Sequence, residues 1–207
     1  MRGATLVLTA AFGLALTGAA RAQEGKALAL GATAPMATTK MKSATDGKTV
    51  SIADVKGKKG TLVVFTCNHC PYAKAWESRI VTLANEYSKK GVGAILINSN
   101  DPAVAKDDKY EDMQARAKEA GMKVPYAVDE TSGIARAFGA EKTPEAFLFD
   151  AKGKLVYHGT IDDNDKEADK VQKKYLKDAL ESVLTGKAVP AAETKALGCG
   201  IKFRKVS

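Results

Sequence analysis

Residues 61–76 read "TLVVFTCNHCPYAKAW", and this stretch decides the fold. Its first part, Thr61–Phe65, is a continuous run of β-branched and apolar side chains, which is typical of a strand buried on both faces. Two cysteines follow, and apolar residues then recur at helical spacing, so the sequence predicts a helix that ends at Gly91. The inward positions of this helix are Trp76, Ile80, Leu83, Ala84 and Tyr87.

Cys67 and Cys70 suit three uses: a structural disulfide, part of a metal site or a reversible redox pair. A structural disulfide is disfavoured, because its stabilisation grows with loop length and this loop is nearly the shortest available. A structural zinc site usually takes four ligands. Besides His69 between the cysteines, the other ligand types of that kind are His158 and Cys199, far along the chain. A metal site stays an alternative with no assigned ligands, and His158 is most simply a strand residue without a chemical task.

The redox use follows from the position of the thiols. Cys67 comes where the strand ends, and a helix N-terminus favours a negative charge, so we expect a lowered pKa and a nucleophilic thiolate at Cys67. Cys70 lies one turn on and is expected to be more buried and to resolve the mixed disulfide. A protonated or donating His69 would stabilise the thiolate and make the disulfide more oxidising. Alternatively, His69 is an exposed loop residue.

Strand and helix patterns alternate along the rest of the chain. A helix is expected over about 107–120, a hairpin around Ala151–Gly153, and an Asp46-Gly47 turn with weak strands near the start. The other strands are expected at Val92–Ile97, Val124–Val128, Glu145–Asp150 and Lys154–Ile161, with a short helix at Gly133–Gly139. The last helix has an apolar stripe of Val171, Tyr175, Leu176, Ala179, Leu180, Val183 and Leu184. This order predicts an α/β sandwich with a mostly parallel centre and a terminal hairpin.

Thr143-Pro144 precedes one of these strands, where a proline removes a backbone donor. It is either an ordinary loop entry or a cis peptide. A cis-proline loop beside a reactive disulfide would leave backbone groups free to pair with an extended substrate chain.

The first residues predict export. Arg2 precedes an apolar stretch that closes with the small-x-small pattern of Ala20-Arg21-Ala22, so residues 1–22 are expected to be a cleaved signal peptide. Removing 22 of the 207 residues leaves 185, which suits one domain. We therefore expect a domain over residues 23–190 and a tail over residues 191–207. The mature protein is expected in the periplasm or secreted, without a stable membrane span.

The net charge of +8 includes Arg2 and Arg21, so the mature chain carries +6. Its lysines are scattered among acids and form no basic and aromatic stripe, so no nucleic-acid partner is expected. Three cysteines are an odd number, and a Cys67–Cys70 pair leaves Cys199 over. Cys199 can resolve Cys67, pair with another chain, or be a spare thiol, and Leu197, Ile201 and Phe203 indicate that its tail docks on the domain.

Together, the apolar strand, the Cys67-Asn68-His69-Cys70-Pro71 motif and the distal Thr143-Pro144 resemble the thioredoxin-like superfamily. Within it, the chain is most similar to the redoxin or peroxiredoxin-like (AhpC/TSA-type) group. The resemblance spans about residues 31–203 and includes "ATDGKTVSIADVKGKKG" and the tail "LGCGIKF". It implies a three-layer sandwich, with a central mixed sheet, helices on both faces and an N-terminal β extension. It also implies a catalytic dithiol at Cys67 and Cys70, with Thr143 and a cis Pro144 facing it.

Two departures bear on activity. The strand before the motif carries no buried acid, and no Pro-x-x-x-Thr-x-x-Cys pattern of true peroxiredoxins precedes Cys67. We therefore expect an exported thiol-disulfide oxidoreductase without a cofactor, acting on protein or small-molecule disulfides or thiols with a separate electron donor or acceptor. The alternatives are a thiol-dependent peroxidase with antioxidant activity and a non-enzymatic module that binds a metal such as copper.

Overall fold

The computed structural model of the protein describes residues 27–205. The predicted signal peptide, residues 1–22, lies outside this range. The strands are β1 (Met41–Ser43), β2 (Thr49–Val50), β3 (Gly60–Phe65), β4 (Val92–Asn98), β5 (Tyr126–Val128), β6 (Lys142–Thr143), β7 (Glu145–Asp150), β8 (Leu155–Gly159) and β9 (Cys199–Gly200). The helices are α1 (Pro71–Lys89), α2 (Tyr110–Glu119), α3 (Gly133–Phe138) and α4 (Tyr175–Thr185), with 3₁₀ turns at Lys106–Asp108 and Ala168–Lys170.

Seven strands form one mixed sheet in the order β2-β1-β5-β4-β3-β7-β8. The central pairs β3–β4 and β4–β5 are parallel, and the flanking pairs are antiparallel. β3 pairs with β4 on one side and with β7 on the other, and all six of its residues are buried. This confirms the prediction from the apolar run at the opening stretch.

The alternation of side chains along the central strands creates two cores, one on each face of the sheet. Leu62 and Val64 pack with α1, α2 and α4, whereas Val63 and Phe65 pack with α3 and the residues that precede β1. Helices thus cover both faces, which confirms the predicted three-layer α/β sandwich. Trp76, Ile80, Ala84 and Tyr87 of α1 are buried as predicted, and Leu83 is only partly buried.

The N-terminal extension widens the sheet. β1 and β2 form a hairpin whose turn includes Gly47 at φ +73°, a left-handed conformation that glycine adopts without strain. β1 also pairs with β5, so both of the weak strands predicted here form, with β2 at the edge of the sheet and β1 between β2 and β5. The predicted hairpin around Ala151–Gly153 joins β7 to β8.

Two helix boundaries differ from the sequence prediction. α2 was expected over 107–120 but begins at Tyr110, because residues 106–108 form a 3₁₀ turn that directs Asp108 into the protein. α4 begins at Tyr175, so Val171 precedes the helix, while Leu176, Ala179 and Leu180 are buried as predicted. Among the helices of residues 27–205, none has the length and apolar character needed to cross a bilayer.

Candidate active site

The junction between β3 and α1 holds the first two cysteines. β3 ends at Phe65 and α1 begins at Pro71, with Cys70 as the residue that caps the helix start. Proline suits the first helical position, because the N–H it lacks has no partner there. Only 4% of Cys67 and 0% of Cys70 is exposed, so both cysteines are buried.

The structure brings all three cysteines into one cluster of free thiols. The Cys70 N–H donates to Cys67 Sγ over 3.4 Å, and the two side chains are also hydrogen bonded to each other. On its other side, Cys70 contacts Cys199: the Cys199 N–H lies 3.4 Å from Cys70 Sγ, and the two thiols share a hydrogen bond. Cys70 is therefore the central member of the cluster.

The thiols differ in acidity. Hydrogen bonds from Cys67 and then from Cys199 lower the pKa of Cys70 to about 4, against a smaller opposing effect of burial. The pKa of Cys67 is raised, because it donates to Cys70, is buried and lies near the Asp108 carboxylate. This corrects the expected lowered pKa at Cys67. The helix begins at Pro71, so Cys70 rather than Cys67 lies at its N-terminus.

A second proton arrangement is built into the same geometry. Thr143 Oγ1 lies 3.2 Å from Cys67 Sγ, and its hydroxyl and the Cys70 N–H can both donate to a Cys67 thiolate. Cys70 Sγ lies 3.1 Å from the Thr143 carbonyl oxygen, which accepts the Cys70 proton but repels a Cys70 thiolate. The negative charge can therefore move between the two sulfur atoms with small shifts of their surroundings.

Thr143 faces the thiols, and the peptide bond between it and Pro144 is cis. Thr143 contacts both Cys67 and Cys70 through its side chain and its carbonyl oxygen, respectively. It also belongs to β6, which pairs antiparallel with β9 of the C-terminal tail. The loop thus offers a backbone edge directly beside the sulfur atoms.

Glu145, which the sequence did not single out, fixes this loop through hydrogen bonds. Its buried carboxylate accepts the backbone N–H groups of Glu141 and Lys142, both over 2.8 Å. Its second oxygen lies 2.6 Å from His158 Nε2, and the His158 ring stacks on Phe147. His158 is a strand residue as predicted, but it has the further role of orienting the carboxylate that fixes the loop.

A second buried carboxylate, Asp108, fixes the residues between the cysteines. It is 3% exposed and accepts the backbone N–H groups of Asn68, over 2.7 Å, and of His69, over 3.3 Å. The side-chain amides of Asn98 and Asn100 also donate to it, over 3.0 and 2.7 Å. Sequence analysis missed Asp108, because it reaches the motif from a loop 40 residues further along the chain.

Glu77 is the acidic side chain of α1 that lies near Cys67. Both line a small cavity of about 10 Å³, large enough for about one water molecule. Glu77 also accepts a hydrogen bond from Arg116 Nε over 2.7 Å. The site therefore has acidic groups near its thiols, although the preceding strand carries none.

His69 is exposed, and within residues 27–205 its ring makes no hydrogen bond, while its N–H donates to Asp108. Its tuning role stays a prediction. Within the same residues, no group of three or more His, Cys, Asp or Glu side chains is arranged to hold a metal ion.

Comparisons with known proteins give the family of this chain. A family model described as Redoxin matches residues 29–174, which include both cysteines of the motif and Pro144 but end before Cys199. Thiol-disulfide oxidoreductase ResA of Halalkalibacterium halodurans is 23% identical over 111 residues, 54% of this chain and 58% of that protein. ResA of Bacillus thuringiensis is 27% identical over 111 residues, 54% of this chain and 60% of that protein. The chain thus spans about three fifths of these relatives.

Solved structures give wider coverage. An uncharacterized conserved protein from Geobacillus kaustophilus is 35% identical, with a TM-score of 0.80 over 89% of this chain and 97% of the other. A hypothetical protein from Sinorhizobium meliloti is 31% identical, with a TM-score of 0.79 over 87% of this chain and 98% of the other. A thioredoxin-like protein solved in its oxidized form is 18% identical with a TM-score of 0.57 over 76% of this chain and 97% of the other, which shows a shared thioredoxin-like fold.

Proposed function

This chain belongs to the Redoxin family, and we propose that it is an exported thiol-disulfide oxidoreductase whose redox pair is Cys67 and Cys70. The observation that carries the proposal is the contact of the Cys70 N–H with Cys67 Sγ, together with the contacts of Thr143 with both sulfur atoms. The relatives named as thiol-disulfide oxidoreductases support the same reaction class. Export is supported by the signal-like residues 1–22 and by the stability of disulfides in oxidising compartments.

In the reaction, the Cys67 thiolate attacks one sulfur of a substrate disulfide and releases the other as a thiol. Cys70 then attacks Cys67 Sγ, which frees the second substrate thiol and leaves a Cys67–Cys70 disulfide. The substrate gains two electrons and two protons, and the two enzyme thiols lose them. Thr143 and the Cys70 N–H are placed to stabilise the Cys67 thiolate.

The substrate would pair with the backbone of Lys142 and Thr143. β6 already accepts an antiparallel partner, β9, so this edge is compatible with an extended chain. Glu145 would keep the edge in place through its bonds to the loop. A peptide disulfide therefore fits the site. Thiols or disulfides of small molecules would contact less of this backbone edge.

The test uses the mature chain, a disulfide-bonded peptide and glutathione as the reductant. We expect turnover in the wild type and in Thr82→Ala, a surface control on α1. Cys67→Ser should form no mixed disulfide, and Cys70→Ser should accumulate one on Cys67, both seen by mass spectrometry. Hydrogen peroxide consumption without peptide reduction would replace the proposal with the peroxidase alternative. Stoichiometric copper binding without either reaction would replace it with the metal module.

The reduction potential of the pair then gives the direction of electron flow. A value near about −270 mV would make the protein a reductant that needs an electron donor, and one near about −120 mV would make it an oxidant. Equilibration with glutathione and mass-tagging of free thiols measures it.

A further inference from the structure

We propose that Cys199 is a third redox thiol of this site, which exchanges with the Cys67–Cys70 disulfide by attacking Cys70. The C-terminal tail then occupies the place of a substrate chain. The inference rests on the proposed function, because the Cys67–Cys70 disulfide must form first. The matched Redoxin region ends at residue 174, so this thiol lies outside it.

The tail is seated as a strand on the edge that a substrate would use. Thr143 pairs with Cys199 and Lys142 pairs with Gly200. The Ile201 N–H continues the ladder by donating to the Glu141 carbonyl over 2.9 Å, and Ile201 itself is 8% exposed in the core around α3. The tail is therefore docked in register, as an extended chain beside the thiols.

Anchors further along the tail keep this register. The Lys202 N–H donates to Asn100 Oδ1 over 2.8 Å, next to the Asp108 network. The Arg204 N–H donates to Ser132 Oγ over 2.9 Å. Since a one-residue slip of a strand turns its side chains to the opposite face, these bonds help fix which way Cys199 points.

Gly198 makes the close approach possible. A Cβ at this position would lie 2.3 Å from the Thr143 carbonyl oxygen, which is a backbone atom and cannot move aside cheaply. At Gly200, in β9, the nearest atom to such a Cβ is 4.0 Å away. Only a residue without a side chain lets the tail reach this depth immediately before Cys199.

The sulfur arrangement selects Cys70 as the partner. Cys199 is half-buried, and both its N–H and its thiol bond to Cys70. Resolving Cys67 was one of the three alternatives for this thiol, and the geometry favours Cys70 as its partner instead. In the reduced cluster, burial and then the Cys70 sulfur raise the pKa of Cys199 to about 11. In the Cys67–Cys70 disulfide, Cys70 carries no charge. Its opposing effect is then lost, while Lys202 still favours the Cys199 thiolate.

The exchange step balances without an outside oxidant. The Cys199 thiolate attacks Cys70 Sγ, the Cys67–Cys70 bond breaks, and a Cys70–Cys199 bond forms. Cys67 leaves as a thiolate and takes the proton that Cys199 gave up, so no electron enters or leaves the protein. The product has a free Cys67 and a tail that is covalently held on the substrate edge.

The pairing can be mapped with trypsin, because the cysteines fall into two peptides. Residues 60–74 contain Cys67 and Cys70, and residues 196–202 contain Cys199. The mature protein is oxidised with glutathione disulfide, quenched in acid, alkylated and digested, and the monomeric fraction is analysed. We expect the two peptides to be linked in the wild type through the exchange. They should also be linked in Cys67→Ser, where glutathione disulfide oxidises Cys70 and Cys199 directly, but not in Cys70→Ser.

Each other outcome overturns the inference. A link that survives in Cys70→Ser but not in Cys67→Ser would make Cys199 the partner of Cys67. A link found only in dimers would make it an interchain thiol. Unlinked peptides with an internal disulfide in residues 60–74 would refute the third thiol and leave the proposed function intact. No disulfide of any kind would refute both.

The docking of the tail beside Thr143 is tested separately with Gly198→Ala and its control Gly200→Ala. The alanine at 198 should lower the yield of linked peptides about tenfold, which corresponds to about 30 mV for a two-electron couple. Gly200→Ala should keep the wild-type yield. Equal yields in the two variants would show that the tail does not need this close approach, and that the docked strand does not position Cys199 beside Cys70.

Discussion

The β3–α1 junction and the C-terminal tail bring cysteines to the same cluster, but they are held in different ways. β3 is a six-residue strand paired on both sides, and α1 is a 19-residue helix with a buried face. β9 is a two-residue strand paired on one side only. Short edge pairings open with less free energy than a core strand. Cys67 and Cys70 are thus fixed by the core, whereas Cys199 can leave while the rest stays folded.

Under the proposed function, this difference would allow a buried dithiol to meet a substrate. The docked tail covers the backbone edge of Lys142 and Thr143, and it supplies Cys70 with the N–H and the thiol of Cys199. When the tail leaves, Cys70 loses both donors, while Cys67 keeps Thr143 and the Cys70 N–H. Opening therefore frees the edge and favours the charge on Cys67 in one step.

The rigid half of the site is the β3–α1 junction, and the largest effect is expected there, for Asp108→Ala. The change leaves several buried donors without their charged acceptor, so we expect the free energy of unfolding to fall by about 3 kcal/mol. Urea denaturation of the reduced protein measures the loss. Asp107→Ala removes the neighbouring, exposed carboxylate and should change stability little. Equal losses in the two variants would mean that Asp108 does not hold the junction.

The releasable half of the site is the C-terminal tail with β9, and Ile201→Ala tests how firmly this tail is docked. Truncation removes apolar surface worth about 2 kcal/mol, so the tail should open more often and Cys199 should be alkylated at least about tenfold faster. Leu197→Ala is the control, since Leu197 is 46% exposed in the same tail. Global stability in urea should hardly change in either variant. A large loss of global stability in Ile201→Ala would mean that the tail is part of the cooperative core.

The effect of the tail on the charge of Cys70 is tested by a pH titration of the thiolate. The pKa of Cys70, about 4, means that its thiolate persists through neutral pH and is lost as the pH falls through that value. Cys199→Ala removes one donor, so the acid end of the thiolate absorbance should move upward by about one pH unit. Cys199→Ser keeps a donor and should stay closer to the wild type. An unchanged titration in the alanine variant would separate the tail from the charge on Cys70.

The sequence predicted best what depends on neighbouring residues. The apolar run of Thr61–Phe65 and the helical spacing after Cys70 are local signals, and both elements formed where expected. The boundary between them differs from the prediction. A helix expected to start right after Cys67 starts at Pro71 instead, and the lowered pKa of Cys70 comes mainly from its interaction with Cys67, which the sequence does not show.

The parts that were missed depend on polar groups that meet only in the folded chain. Asp108 and the Glu145–His158 pair are ordinary charged residues in the sequence, and their roles follow from burial beside backbone donors. The tail carried a usable signal, since glycines on both sides of Cys199 are typical of a close backbone approach. The spacing alone did not say which backbone is approached.

The smallest effect is expected at His69. Its N–H is fixed by Asp108, so the loop belongs to the rigid half, but its exposed ring can act on the thiolates only through solvent-screened charge. His69→Ala should therefore change the equilibrium constant with glutathione by about twofold, or about 9 mV, so that the disulfide becomes a slightly weaker oxidant. Lys106→Ala, which removes another exposed charge, is the control. A tenfold effect confined to His69→Ala would place the ring against the thiols and give the rigid half a direct electronic role.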